Sequence, residues 1–220
     1  MLTALGVLLP LGIAAAFSTI PLAVATVILL SARARPNGLA YLIGLAVGVF
    51  VVTLALSLGL GTIAPTAGGV RYVLLGAGEI ALGVLLIGYG ILVFVRRPRP
   101  RAAGGRWSRA LDRTPVWSTL GVGVVMSVRP KALLLSVAVG VAIAKGDLVI
   151  GETLIGVGVF TALAISAVAV PVVFVLVDPV RARRWLMAAK GFLVRHGRVL
   201  MLIVSVVVGV VLIGDGIARL

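Results

Sequence analysis

The chain reads as an all-α integral membrane protein whose six transmembrane helices form a three-plus-three inverted repeat. Three observations predict this class: hydropathy, the sidedness of the basic residues, and self-similarity between the halves. Of 220 residues, 61% are hydrophobic and 12% charged, and the mean hydropathy is +1.27. Soluble domains run at about 45–50% apolar and about 25% charged. Uncharged runs here repeatedly exceed the roughly 20 residues that cross a bilayer, which excludes a water-soluble globule.

The first expected span covers residues 5–30; it is too long for a signal-peptide core and no basic stretch precedes it. The Ser31-Ala-Arg-Ala-Arg-Pro-Asn37 junction leads to a second span at 38–62, and the stretch Ala64 to Gly69 to a third at 70–95. A basic linker, 96–114, precedes a fourth span at 115–144; a tight Ala144-Lys-Gly-Asp147 turn and a fifth at 148–177 follow. The sixth span is 199–219. Residues 1–95 thus form the first three-helix repeat and 115–220 the second. No stretch alternates with the period of a membrane strand, so the backbone satisfies its hydrogen bonds within helices.

Between spans five and six, segment 179–198 carries Trp185, Leu186, Ala189, Phe192 and Leu193 on one helical stripe, with arginines mostly off it. This predicts an amphipathic interfacial helix, with Arg181, Arg184, Trp185 and Lys190 contacting anionic lipid; a cytoplasmic extension of a neighbouring span is the alternative. Asp178, beside Pro179, is expected to cap it or pair locally.

Lys and Arg number 20, Asp and Glu 6. Fifteen of the cations fall in the loops after helices one, three and five, which puts those loops in the cytoplasm and both termini outside. Only Arg71, Lys145 and Arg219 lie on the other side, and Arg129 and Lys131 lie within helix four. The arginine runs are short and membrane-tethered, so they read as topology signals and lipid contacts; no nucleic-acid partner is expected.

The halves repeat. Gly12-Ile-Ala-Ala-Ala-Phe-Ser18-Thr-Ile-Pro21 aligns without gaps on Gly121-Val-Gly-Val-Val-Met-Ser127-Val-Arg-Pro130, offset by 109 residues. Leu42-Ile-Gly44 answers Leu154-Ile-Gly156, and Val47-Gly-Val-Phe50 answers Val157-Gly-Val-Phe160. Three helices end on the side opposite their start, so two tandem copies are inverted, an architecture that puts a substrate site near the midplane at Gly- or Pro-broken helices. Pro21 and Pro130, with Gly12 and Gly121, are the expected hinge or gate, because proline removes a backbone donor and frees carbonyls.

Arg129 and Lys131 flank Pro130, where a charge costs about 2.5–3.5 kcal/mol and therefore seeks a cavity or partner. They are the expected substrate-binding cations, with Ser18 and Ser127 beside them. Glu79, the one acidic residue deep in a span, falls at a similar depth and would either form a structural ion pair with them or join the site. The surplus positive charge favours an anionic head group. Glu152 and Asp215, near the outer helix ends, are candidates for proton coupling or simple solvated ends. Gly44 and Gly48, Ser205 and Gly209, and the glycines of helix three point to close helix packing.

Enzymatic readings find no support. No G-x-S-x-G, H-E-x-x-H or Walker A motif occurs. Gly214-Asp-Gly216 faintly resembles an intramembrane aspartyl protease motif, but a second intramembrane aspartate is missing. With no cysteine and His196 alone, disulfides and zinc sites are excluded; no metal or cofactor is expected.

The N-terminal Pro10-Leu-Gly-Ile-Ala-Ala-Ala-Phe-Ser-Thr-Ile-Pro21, the Ser31 to Ala40 junction and Ser127-Val-Arg-Pro-Lys-Ala-Leu-Leu-Leu135 resemble the GAP family of peptidoglycolipid- and sulfolipid-addressing proteins, within the lysine exporter superfamily. The resemblance spans essentially the whole chain, and Pro-Lys-Ala-Leu-Leu-Leu is its most specific element. It implies export or surface display of glycolipids and carries over Pro21, Pro130 and Lys131. In that superfamily asparagine usually precedes Pro-Lys; Arg129 departs from this, which disfavours a cationic amino acid and suits an anionic lipid. The expectation is an inner-membrane transporter or export factor for a (glyco)lipid or other anionic amphiphile, with no ATPase of its own. Its expected partners are anionic glycolipid or phospholipid, a larger lipid-export transporter or a second copy. Two alternatives stay open, a small-molecule exporter for amino acids or organic anions and a non-transporting scaffold of a lipid-export machine.

Overall fold

A computed structural model describes residues 2–31, 33–63, 69–95, 115–145 and 149–217. The basic linker 96–114 and most of the tight turn after Ala144 lie outside the described residues, as do the side chains of Lys190 and Asp215. Every described segment is built from helix: α1 Leu2–Ala16, α2 Thr19–Leu29, α3 Ala34–Ile63, α4 Gly69–Val95, α5 Val116–Ser127, α6 Pro130–Lys145, α7 Ile150–Val177 and α8 Pro179–Ile217.

Three of these are long and apolar enough to cross a membrane in one piece, within α3, α4 and α7. The pairs α1–α2 and α5–α6 are each long and apolar enough to make one further span if their two helices are taken together, and they turn by 47° and 62° at their breaks. A shorter apolar stretch, Leu202–Gly214, lies within α8. Leucine, isoleucine and valine cover the outside, including Ile43, Val47 and Val51 on α3, Val84 and Leu85 on α4, and Val170 and Val173 on α7. Such an apolar exterior has no place in water and marks a protein embedded in lipid.

The two halves interlock. α1 packs on α7, and α5 packs on α3; α4 lies along α8, and α3 touches α7 in the middle. Each of these contacts is closed by small residues. A Cβ added to Gly123 of α5 would stand 2.5 Å from the Tyr41 carbonyl oxygen of α3, and one on Gly44 would strike the Leu120 carbonyl. Between α4 and α8, Gly83 faces the Gly209 backbone, Gly90 faces Ser205, and Gly216 faces the Gly76 carbonyl. Lipid tails are as apolar as leucine, so close approach of this kind, rather than a hydrophobic driving force, holds membrane helices together.

The amphipathic segment is helical but is not a separate element between two spans. It is the first half of α8, which runs 39 residues without interruption and is therefore about 58 Å long if straight. No proline separates Arg198 from Val199, so nothing in the backbone stops the helix from propagating. Asp178 supplies the turn that starts it. It ends α7, and its carboxylate accepts from the amides of Val180 and Arg181 at 3.1 and 3.0 Å, a side-chain N-cap. It also pairs with Arg181 at 3.3 Å. Ala182 and Leu186 are buried in the core, and Trp185 meets Phe174 of α7 edge-on, with ring centroids 6.2 Å apart.

Candidate functional site

Both helix breaks fall where the repeated Ser-x-x-Pro elements lie. In the first, Ser18 is extended, with φ −91° and ψ 108°, and α2 resumes at Thr19 with Pro21 in its first turn. In the second, α6 begins on Pro130 itself, the helical position where a missing N–H is tolerated best. A proline nitrogen cannot donate to the carbonyl four residues earlier. For Pro130 that carbonyl belongs to Met126, and it accepts a 2.6 Å hydrogen bond from Arg129 Nε. The arginine thus caps the helix that its neighbouring proline ends. Its Nη1 reaches across to Ser18 Oγ at 3.4 Å, joining the two breaks. The first break is braced as well, by Tyr41 of α3, whose hydroxyl donates to the Pro21 carbonyl at 3.1 Å.

Between the breaks lies a cavity of about 40 Å³, room for two or three waters. Ser18 and Pro21 line it from one half, Arg129 and Lys131 from the other, over an apolar wall that includes Leu45, Val49 and Phe160. Lys131 is only 4% exposed, and its ammonium has no hydrogen-bond partner among the described residues. Its electrostatic neighbour is Arg129, a like charge. Every charged group on the lining is cationic, so the cavity has the electrostatics that suit an anion.

The expected residues separate into those the fold gathers here and those it does not. Ser18, Pro21, Arg129 and Lys131 meet at the cavity, with Pro130 at the break itself. Ser127 does not join them; its hydroxyl bonds back to the Val124 carbonyl at 2.6 Å, and the side chain lies against Gly48 of α3. Gly12 and Gly121 are not at the bends. Gly12 packs within α1 against Leu163, and a side chain at Gly121 would meet nothing within 4 Å. Glu79 is buried but does not line the cavity. It belongs to the α4 stripe of Gly76, Gly83, Leu86 and Gly90, all buried, whose glycines face α8. Glu152 lies in the first turn of α7, partly exposed, whereas Arg181, Arg184 and Trp185 are exposed at the start of α8. Among the described residues no cluster of His, Cys, Asp or Glu suits a metal ion.

Two buried hydroxyls escaped the sequence reading. Ser136 lines the cavity, and Thr53 of α3 donates to its Oγ at 3.0 Å. They stand 83 residues apart in the chain, and only the packing of α3 on α6 brings them together.

No curated protein and no solved structure matches the chain. The sequence profile described as "Sap, sulfolipid-1-addressing protein" matches residues 8–218. The match runs from α1 to the end of α8, so the chain belongs to the sulfolipid-1-addressing protein family.

Proposed function

We propose that the protein is an export factor of the inner membrane that takes the anionic group of a lipid into the cavity between the helix breaks and passes it toward the outer face. The observation that carries this reading is Lys131, a buried ammonium beside a second cation with no counter-ion on the cavity lining. A buried charge is retained where it is paired, and here the pairing group is supplied by the ligand. The family's printed description, which speaks of addressing a sulfolipid, agrees with a ligand of that charge. In this reading the mechanism is one of alternating exposure.

The inverted-repeat reading, and with it membership of the lysine exporter superfamily, is supported by the reciprocal packing of α1 on α7 and α5 on α3. Those are the contacts that exchange when one half is laid on the other. Opening follows from the bends at residues 17–18 and 128–129, with the cytoplasmic basic residues of α8 holding anionic lipid beforehand and both termini outside. The small size of the cavity also favours a second reading, in which the ligand is a small organic anion. Lipid retention measured by native mass spectrometry, wild type against Arg129→Ala/Lys131→Ala, separates the two. Selective loss of an anionic lipid supports the lipid reading. Unchanged lipids together with organic-anion flux in proteoliposomes support the other, and neither effect refutes both.

A further inference from the structure

Resting on that reading of the cavity, we propose that Ser136 is a third donor to the bound anion, and that Thr53 sets its direction. The case begins with how other hydroxyls in this chain behave. The buried Thr119, Thr161 and Ser205 hydroxyls have no hydrogen-bond partner among the described residues, while Thr26, Ser57, Ser127 and Ser166 each return their proton to a carbonyl three or four residues earlier, a common fate of a helical hydroxyl in an apolar setting. Ser136 does not. Its oxygen receives the Thr53 hydroxyl at 3.0 Å, and its own hydrogen has no acceptor among the described residues.

Ser136 is 3% exposed and Thr53 wholly buried, so water outside the protein does not serve them. An oxygen already engaged as an acceptor on its α3 side directs its hydrogen away from α3, and Ser136 is part of the cavity wall with Arg129 and Lys131. That wall has no carboxylate to receive it. The acceptor is therefore what the cavity holds, water in the ligand-free protein and the anion once one enters. An anion in the cavity meets the Lys131 ammonium, the Arg129 N–H groups not committed to Met126 and Ser18, and the Ser136 hydroxyl. Two cations and one neutral donor converge from the second break and the first two turns of α6, which fixes orientation as well as charge.

The test uses the full chain in detergent with phosphatidylglycerol and phosphatidylcholine supplied together, and native mass spectrometry of what is retained. A parallel arm offers inorganic sulfate in place of the anionic lipid, so that a lipid-borne and a free oxoanion are told apart. Ser136→Ala is expected to lower phosphatidylglycerol retention about tenfold, the value of one hydrogen bond to a charged acceptor, with phosphatidylcholine unchanged. Ser136→Thr, which keeps the hydroxyl, retains the lipid, and Thr53→Val gives a smaller loss. If sulfate rather than phosphatidylglycerol shows this dependence on Ser136, the role of Ser136 stands and the ligand is a free oxoanion. An unchanged lipid ratio in Ser136→Ala, with a loss in Lys131→Gln, overturns the role of Ser136 and leaves the cation site intact. Equal losses of both lipids, with matching drops in thermal midpoint for Ser136→Ala and Thr53→Val, would reduce the pair to a clamp between α3 and α6. No effect in Lys131→Gln either would overturn the underlying reading itself.

Discussion

Replacing Lys131 by methionine should make the ligand-free protein more stable while removing its affinity for anions. The side chains are similar in length, so the change removes charge and leaves little void. Lys131 is 4% exposed, has no hydrogen-bond partner among the described residues and faces Arg129 across the cavity wall. Its charge is therefore a cost in the empty state. Insertion scales set that cost at about 2.5–3.5 kcal/mol for a lysine at mid-helix. Waters in a 40 Å³ cavity recover part of it, leaving a gain of about 2 kcal/mol on substitution. For a chain of this size that is a rise in Tm of roughly 4–8 °C. Thermal unfolding in lipid-depleted detergent reads the first effect, and retention of phosphatidylglycerol reads the second. Had Lys131 been half of a structural ion pair, its loss would destabilise the fold by about 3–5 kcal/mol. A lowered Tm would thus refute the argument, because it would show that the ammonium already has its partner within the protein.

Other expectations follow from the packing and the topology. Gly123→Ala pushes a methyl into the Tyr41 carbonyl and should cost about 1–3 kcal/mol, read as a lower Tm, whereas Gly121→Ala, with open space around it, should be nearly silent. The chain has no cysteine, so introduced pairs report without background. Gly90→Cys with Ser205→Cys, whose Cβ positions lie 2.7 Å apart, should cross-link on mild oxidation once α4 and α8 yield by about 1 Å to the usual disulfide Cβ separation of about 3.8 Å. Gly83→Cys with Ser205→Cys, displaced by two helical turns or about 10 Å, should not. In intact cells an impermeant thiol reagent should label Val149→Cys at the start of α7 and spare Arg33→Cys before α3; the reverse pattern would invert the proposed orientation.

The helices and both breaks were legible because each rests on local chemistry. Hydropathy over 20-odd residues marks a helix, and the Ser-x-x-Pro element marks both breaks, whereas Pro10 and Pro171 stand inside continuous helices. Arg129 and Lys131 announced themselves by being charged in an apolar run. What was not legible depends on register. Ser127 repeats Ser18 in sequence, yet Gly48 draws it against α3, so the repeat predicts the position and not the facing. Glu79 matched the cations in depth but lies on the stripe of α4 whose glycines meet α8. Depth along a helix can be counted from sequence, whereas rotation about its axis is settled by the neighbour. Thr53 and Ser136 are ordinary polar residues in two unrelated stretches, and only the contact between them gives either a meaning. The amphipathic segment was read correctly as helix, but its boundary was not, because charge density marks where the hydrocarbon ends and does not mark where a helix ends.

The bond from Arg129 to the Met126 carbonyl couples two adjacent residues energetically. Alanine in place of Pro130 would return a helical amide to that carbonyl and release the guanidinium; alanine in place of Arg129 would leave the same carbonyl wanting. The two changes are therefore non-additive, and a double-mutant cycle should give a coupling of about 0.5–3 kcal/mol. So long as Pro130 stands, position 129 has to offer the Met126 carbonyl a donor.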